Sequence, residues 1–392
     1  VRCRWVLLIL VLIEAQAMSA TAQQSQSNGP LQIATASAAA RDFYEHGAVA
    51  RGRTVAARPP AFSCAVASNG NVLWAEAFGF ADLEQRVPAT PLTVFRIGSL
   101  SKPLTAAGAL LLYDRKQLDL DVPIQTYVAS FPDKGSPITI RELLGHLGGI
   151  RHYGDNDFGG LDENIKHYTS LEDGLVLFEN DPLVAPPRTK WSYSSYGFNL
   201  VGVAIEHISG QDFASFMRVD VFKPLVMKHT DVDDRVRVIV NRAAFYEVAD
   251  DGSFINAPFA DLSYKYPSGG LLSTPTDLVL FASALLRPGF LTEPTRRLLF
   301  TSQETLDGRD TGYGMGWQLK ADENGGYETG LQVEKTKGER YFWHRGAGVG
   351  GHAALVIYPD ANIVAACAEN TSLASVPISL TLIRKIAAPF MP

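Results

Sequence analysis

The chain has 392 residues, 46% of them apolar and 19% charged, with a formal net charge of −6. That length buries a sizeable core in one large or two smaller domains, and the composition shows no collagen-like or disordered bias. The acidic balance, with no Lys/Arg-rich run, argues against nucleic acid as a partner, because phosphate binding needs a basic face.

Residues 1–22 have the layout of a secretory signal peptide: Arg2 and Arg4 lead an apolar run from Trp5 to Ile13, and Ala20-Thr21-Ala22 forms a small-x-small cleavage site. The run is too short to span a bilayer as a helix, which takes about 20 residues. A secreted or periplasmic location after cleavage near Ala22 is therefore expected, with no stable membrane span. Cleavage moves the net charge from −6 to −7, since two Arg and one Glu leave. Residues 23–34 read as a flexible lead-in, and the Ala-rich stretch 36–50 as a helix. Ala61–Ser68 and Val72–Phe80 are apolar-rich runs joined by Asn69-Gly70, a hairpin signal.

A helix is expected from Ser99. Helical signals dominate from about 115 to 290. They include a capping box at Thr139–Glu142, a helix over Tyr196–Ser209 ended by Gly210, and Thr274-Pro275 at a helix start. Strand signals return at Tyr313–Lys320, Tyr341–His344, Ala353–Tyr358 and Ile363–Glu369, with turns at Asn324-Gly325-Gly326 and Pro359-Asp360. Leu373–Ala388 closes the chain as a helix. This order fits an α/β protein of the α+β type. An antiparallel sheet built from both chain ends is flanked by helices and carries a mostly helical insertion, all within one domain over 35–392.

Three Cys are too few for a disulfide framework. Cys64 and Cys367 fall in the first and last predicted strands, and buried reduced thiols are expected, although export permits a disulfide. No CxxC, HExxH or EF-hand loop occurs, so neither a metal nor a cofactor is expected. His146 and His152 read as loop or core histidines.

The chemistry centres on Ser99-Leu100-Ser101-Lys102. A serine hydroxyl needs a base to become a nucleophile, and residues three apart share a helix face. Lys102 suits that role if burial or a neighbouring cation lowers its pKa. At a helix start the Ser99 N–H lacks an intrahelical partner and is free for an oxyanion.

Phe95-Arg96-Ile97-Gly98-Ser99-Leu100-Ser101-Lys102 resembles the nucleophile motif of serine β-lactamases, DD-peptidases and related esterases. Further segments are similar to that family in the same chain order. Residues 143–150 (LLGHLGGI) resemble its LLxHxSGI stretch, and Tyr193-Ser194-Ser195 its Tyr-x-Asn. Trp343-His344-Arg345-Gly346 resembles its Lys-Thr-Gly strand, and residues 268–274 and 312–317 also look like family segments. The resemblance covers about 36–388 and is greatest, in the His146-to-Tyr153 stretch, to the mitochondrial serine β-lactamase-like proteins.

The resemblance implies that Ser99 forms an acyl-enzyme and that Lys102 and Tyr193 share acid–base work. It implies an oxyanion hole from the N–H groups of Ser99 and Ala347, with Gly346 allowing close approach, and places Ser195 and His344 among the substrate-binding residues. Two departures stand out. Ser195 replaces an Asn and His344 replaces a Lys, and both weaken the case for efficient β-lactam turnover. The expected function is an exported serine acyl hydrolase, whether peptidase, amidase or esterase, acting on a small-molecule or peptide acyl substrate. The alternatives are a β-lactamase proper and a non-catalytic binding or assembly protein of the same fold. His344 is expected to be neutral, since Lys102 already supplies a cation.

Overall fold

The computed structural model describes residues 29–46, 49–50, 53–54, 58–155, 157–158, 164–319, 340–372 and 378–392. The expected signal peptide and the turn at Asn324-Gly325-Gly326 lie outside them.

Asn69 and Gly70 adopt positive φ, 54° and 76°, as a two-residue type I′ turn requires. They join strand Ala61–Ser68 to strand Asn71–Asp82 in an antiparallel hairpin. The chain end supplies three more antiparallel strands, Phe342–Gly348, Gly351–Tyr358 and Ile363–Glu369. Ile363–Glu369 pairs with Ala61–Ser68, which closes a six-stranded sheet from both ends of the chain. The outer strand on the C-terminal side is Phe342–Gly348.

Side chains of a strand alternate between faces, and here each face has its own cover. Phe62, Cys64, Val66, Val356, Ala365 and Cys367 pack on Ala36 and Ala40 of the helix over 29–46 and on Ile383 and Ile386 of helix Leu380–Ala387. Ala61, Ala65, Ala67, Leu355, Val364 and Ala366 join the larger core. That core also holds helices Ser101–Asp114, Ser195–Ser209 and Pro275–Leu285.

Four expectations need correction. The first helix begins at residue 29, inside the stretch 23–34 read as a flexible lead-in. Pro30 lies in its first turn, where no N–H is missed. Cys64 and Cys367 are not free thiols. They face each other directly in the strand register and form a disulfide, with Cα atoms 4.1 Å apart. Tyr313–Lys320 is not a strand over its described part. It makes only the isolated bridges Tyr313 to Gln318 and Gln318 to Trp343, because Gly312 and Gly316 at positive φ break the extended backbone. The insertion over 115–290 carries the expected capping box at Thr139 and caps at Ser194 and Thr274. Yet it also holds four short strands, Asp231–Val232, Tyr246–Val248, Phe254–Asn256 and Leu271–Ser273. Leu271–Ser273 pairs with both Asp231–Val232 and Phe95–Arg96, so the insertion is stitched to the segment that leads into Ser99. Among the described residues, no helix is long and apolar enough to cross a membrane.

Candidate active site

Phe95–Arg96 delivers the chain into a tight turn, Gly98–Leu100, that continues as helix Ser101–Asp114. Pro103 sits in the first turn of that helix, where its missing N–H costs nothing. Lys102 is three positions after Ser99, and its Nζ is 3.0 Å from Ser99 Oγ. It also reaches Ser195 Oγ at 3.0 Å and the Ser268 carbonyl oxygen at 2.8 Å. Lys102 is fully buried whereas Ser99 is partly exposed. Burial first, and then the positive charge of Lys265, hold Lys102 well below the usual lysine range. A neutral amine has two hydrogens and one lone pair. Of its three partners, the carbonyl can only accept, whereas the Ser99 hydroxyl is able to turn round and give its proton.

The outer strand comes in directly over this helix start. A Cβ on Gly346 would lie 1.8 Å from the Ile97 carbonyl oxygen and 2.7 Å from the Ser99 nitrogen. Gly98, at φ +49°, would bring a Cβ to 2.6 Å from the Ala347 nitrogen. Two glycines facing each other thus let the backbones of 97–99 and 346–347 touch. Trp343 exchanges both backbone hydrogen bonds with Gln318 on the free edge of the strand, each at 3.0 Å. Alternation then turns the N–H of Ala347, four residues on, to the same edge, away from the Gly351–Tyr358 strand. Ala347 is exposed. Its nitrogen and that of Ser99 both lie at this crossing of the strand with the helix start. Arg96 braces the turn beyond, donating from Nη1 to the Val349 carbonyl at 2.9 Å and from Nε to Asp233 at 2.6 Å.

Tyr193 and Ser195 enter from the start of helix Ser195–Ser209, whose N-cap is Ser194. The Lys102 nitrogen lies 4.8 Å from the centre of the Tyr193 ring. That ring is packed by His146 at 4.3 Å and, edge-on, by His152 at 5.3 Å. Ser195, expected to hold a substrate carbonyl, is instead buried with its hydroxyl accepting from Lys102. The shorter side chain at this position serves the lysine.

His344 also departs from its expected substrate-binding role. It is buried, and both ring nitrogens are taken: Nδ1 lies 2.6 Å from the Arg345 carbonyl oxygen and Nε2 3.1 Å from the Tyr313 hydroxyl. A carbonyl only accepts, so Nδ1 carries the proton and Nε2 accepts from Tyr313. Burial, with Lys102 adding to it, pushes His344 down to about 3, so the ring is neutral. Burial, with Tyr193 nearby, keeps the Tyr313 phenol protonated, well above its usual range. Arg345 lies on the opposite face, with its guanidinium 5.2 Å from the Trp343 ring.

The structure therefore brings together Ser99, Lys102, Tyr193, Ser195, His344, Gly346 and Ala347. Sequence reasoning gave no role to Tyr313, Lys265 or the Ser268 carbonyl. The Ser268 carbonyl and Tyr313 lie in segments 268–274 and 312–317, whose resemblance was visible without a chemical reason for it, and Lys265 lies just before the first of these. His146 and His152 were read only as packing residues.

A buried lysine on a partly exposed serine, under a glycine-lined edge strand of a two-ended antiparallel sheet, defines the class of serine β-lactamases and penicillin-binding proteins. The Beta-lactamase family model matches residues 47–388, and the chain belongs to that family. It is 29% identical to the human mitochondrial serine β-lactamase-like protein LACTB, over 77% of this chain and 69% of the relative. An octameric penicillin-binding protein homologue from Pyrococcus abyssi superposes with a TM-score of 0.66 at 26% identity, over 81% of this chain and 71% of that one. A D-stereospecific amidohydrolase from Streptomyces shares the fold, with a TM-score of 0.68 at 20% identity over 88% and 97%.

Proposed function

We propose that this protein is an exported serine acyl hydrolase that works through a Ser99 acyl-enzyme. The observation that carries the reading is the 3.0 Å contact between Ser99 Oγ and a lysine whose pKa burial and Lys265 lower well below the usual range. In the proposed reaction, Ser99 Oγ attacks the acyl carbon as its proton passes to the Lys102 amine. The carbonyl oxygen becomes an oxyanion held by the N–H groups of Ser99 and Ala347. Lys102, with Tyr193, then returns the proton to the leaving group; a water next attacks the acyl carbon as its proton passes to the Lys102 amine, and that proton goes to Ser99 Oγ as the C–Oγ bond breaks and the acid leaves.

His344 favours uncharged esters and internal peptide bonds over free C-terminal carboxylates, because the strand position offers no cation to such an anion. Export is supported by the signal-like pattern of residues 1–22 and by the Cys64–Cys367 disulfide, which suits an oxidising compartment. The proposed partner is a small-molecule or peptide acyl substrate, with no role for nucleic acid or a membrane span.

The test is labelling of purified protein with a fluorophosphonate probe, a fluorescent penicillin and a chromogenic ester. Ser99→Ala should abolish covalent labelling. Lys102→Ala and Tyr193→Phe, folded by circular dichroism, should each slow acylation about 10²–10⁴-fold. A label found on another serine by peptide mass spectrometry would refute the assignment. Slow-turnover penicillin labelling without ester release would point to a penicillin-binding peptidase, and penicillin hydrolysis to a β-lactamase.

A further inference from the structure

Two histidines outside the catalytic set grip the segment that carries Tyr193 and Ser195. The Ser194 N–H donates to His146 Nδ1 at 3.1 Å, and the Ser195 N–H donates to His152 Nδ1 at 3.2 Å. A backbone N–H only donates, so both Nδ1 atoms must be unprotonated. Each ring is then neutral, with its proton on Nε2. His146 is buried, and its backbone takes an unusual positive φ of 60°. A non-glycine residue in that conformation is held there by its surroundings.

We propose that His146 and His152 are positioning residues that clamp the Tyr193–Ser195 segment against Lys102, and that protonation of either ring releases it. The consequence for catalysis rests on the acyl-hydrolase reading given above, but the clamp itself does not. A protonated Nδ1 would present a hydrogen to a backbone N–H, and the two donors must part. Ser195 Oγ, which accepts from Lys102, and the Tyr193 ring move with the same backbone.

The surroundings of both rings oppose protonation. His146 faces Lys102, His344, His152, Tyr193 and Tyr313, together with the rings of Trp191 and Phe198. Burial first, and then the like charge that Lys102, His344 or His152 would carry if protonated, hold it well below the usual histidine range. His152 is exposed at the surface, with its inner side facing Lys102, Lys265, Arg151, Asp157, Tyr153 and Tyr193. Burial of its inner side, then Lys102 and Lys265, lower it to about 4, against the opposing pull of Asp157. A ring whose pKa is lower in the clamped state takes up its proton preferentially once the clamp opens. Opening therefore becomes easier as pH falls from the free histidine value of about 6.5 toward 4, and the dependence disappears above about 7.

Hydrogen exchange of the Ser194 and Ser195 amides, corrected for intrinsic rates, reads this without any substrate. Wild-type protection should fall about tenfold or more between pH 7 and pH 5, the scale of linkage to one histidine. In His152→Asn, whose amide oxygen can accept the Ser195 N–H and does not titrate, the fall at Ser195 should vanish. In His152→Leu the Ser195 protection should be low at every pH. His146→Asn and His146→Leu should behave likewise at Ser194. Flat wild-type protection, or the same pH dependence in the Asn and wild-type proteins, would overturn the clamp. The second readout is the rate of Ser99 labelling by a fluorophosphonate at pH 7. Each Leu variant should be slowed about tenfold or more, with the Asn variant recovering most of that loss. Equal rates in the Leu and wild-type proteins would remove the positioning role. A wild type that is not labelled at all, with exchange behaving as described, would sink the acyl-hydrolase reading and leave the clamp standing.

Discussion

Lys102 shows how one residue's ionisation is set by what it touches. Its amine is fully buried against two hydroxyls and a carbonyl, with no carboxylate among its hydrogen-bond partners in the described residues, and Lys265 adds a like charge. Both effects favour the neutral amine that a base must be. His344 is neutral for a related reason, and its tautomer follows from the Arg345 carbonyl on one side and Tyr313 on the other. Its value of about 3 places its titration below the working range. The kcat/KM of an uncharged ester should therefore show no inflection from His344 between about pH 5 and 8. Its acid limb should come instead from groups that must be neutral, Lys102 above all, so activity rises with pH. His344→Lys should add a cation and shift preference toward a D-Ala-D-Ala peptide. A wild-type preference for that carboxylate substrate at about pH 8, above the unperturbed histidine range, would contradict this. The SxxK spacing exposed the Ser99–Lys102 pair because a helix turn enforces it locally. Tyr313 could not be found that way. It meets His344 across 31 residues of chain, a contact created only when the 312–317 turns fold beside the outer strand.

At the scale of elements, the decisive contact is between the outer strand and the turn that leads into helix Ser101–Asp114. Neither has a side chain at the crossing, at Gly346 or at Gly98. Gly346→Ala should force the backbones apart and spoil the donor pair, slowing acylation about 10²–10³-fold, as expected for a lost oxyanion donor. Gly348 lies in the same strand with nothing among the described residues within 4 Å of its would-be Cβ. Gly348→Ala is therefore the control, and it should label at a near-normal rate. Equal labelling of both variants would separate the strand from the oxyanion. Local signals also explain which elements were legible. The Asn69-Gly70 turn, the Thr139 capping box and the Thr274-Pro275 start each follow from a few adjacent residues. The short strands of the insertion were hidden because their pairing partners are distant. Phe95–Arg96 and Leu271–Ser273, for example, pair across about 175 residues of chain. A strand of two or three residues has too little alternation to announce itself.

For the whole molecule, the joint between chain ends is the point of greatest leverage. The disulfide joins residues 303 apart in sequence, in the two strands that close the sheet. Cross-linking so long a loop restricts the unfolded chain, and its loss should cost about 2–4 kcal/mol. Urea unfolding of the Cys64→Ala, Cys367→Ala double variant against wild type measures this. Thiol counting in denaturant without reductant should find neither of these two thiols free, and two reactive thiols would refute the bond. The sequence put both cysteines in the first and last strands but pointed to reduced thiols, since register, which it does not show, decides whether two sulfurs meet. More broadly, residues close in sequence determined the Ser99–Lys102 pair, the capped helices and the hairpin, because helix geometry and turn chemistry act over a few residues. The disulfide, the two-glycine crossing, the neutral tautomer of His344 and the histidine grip on Ser194 and Ser195 were decided by tertiary structure. Each depends on distances and burial between segments far apart in the chain, which no local spacing encodes.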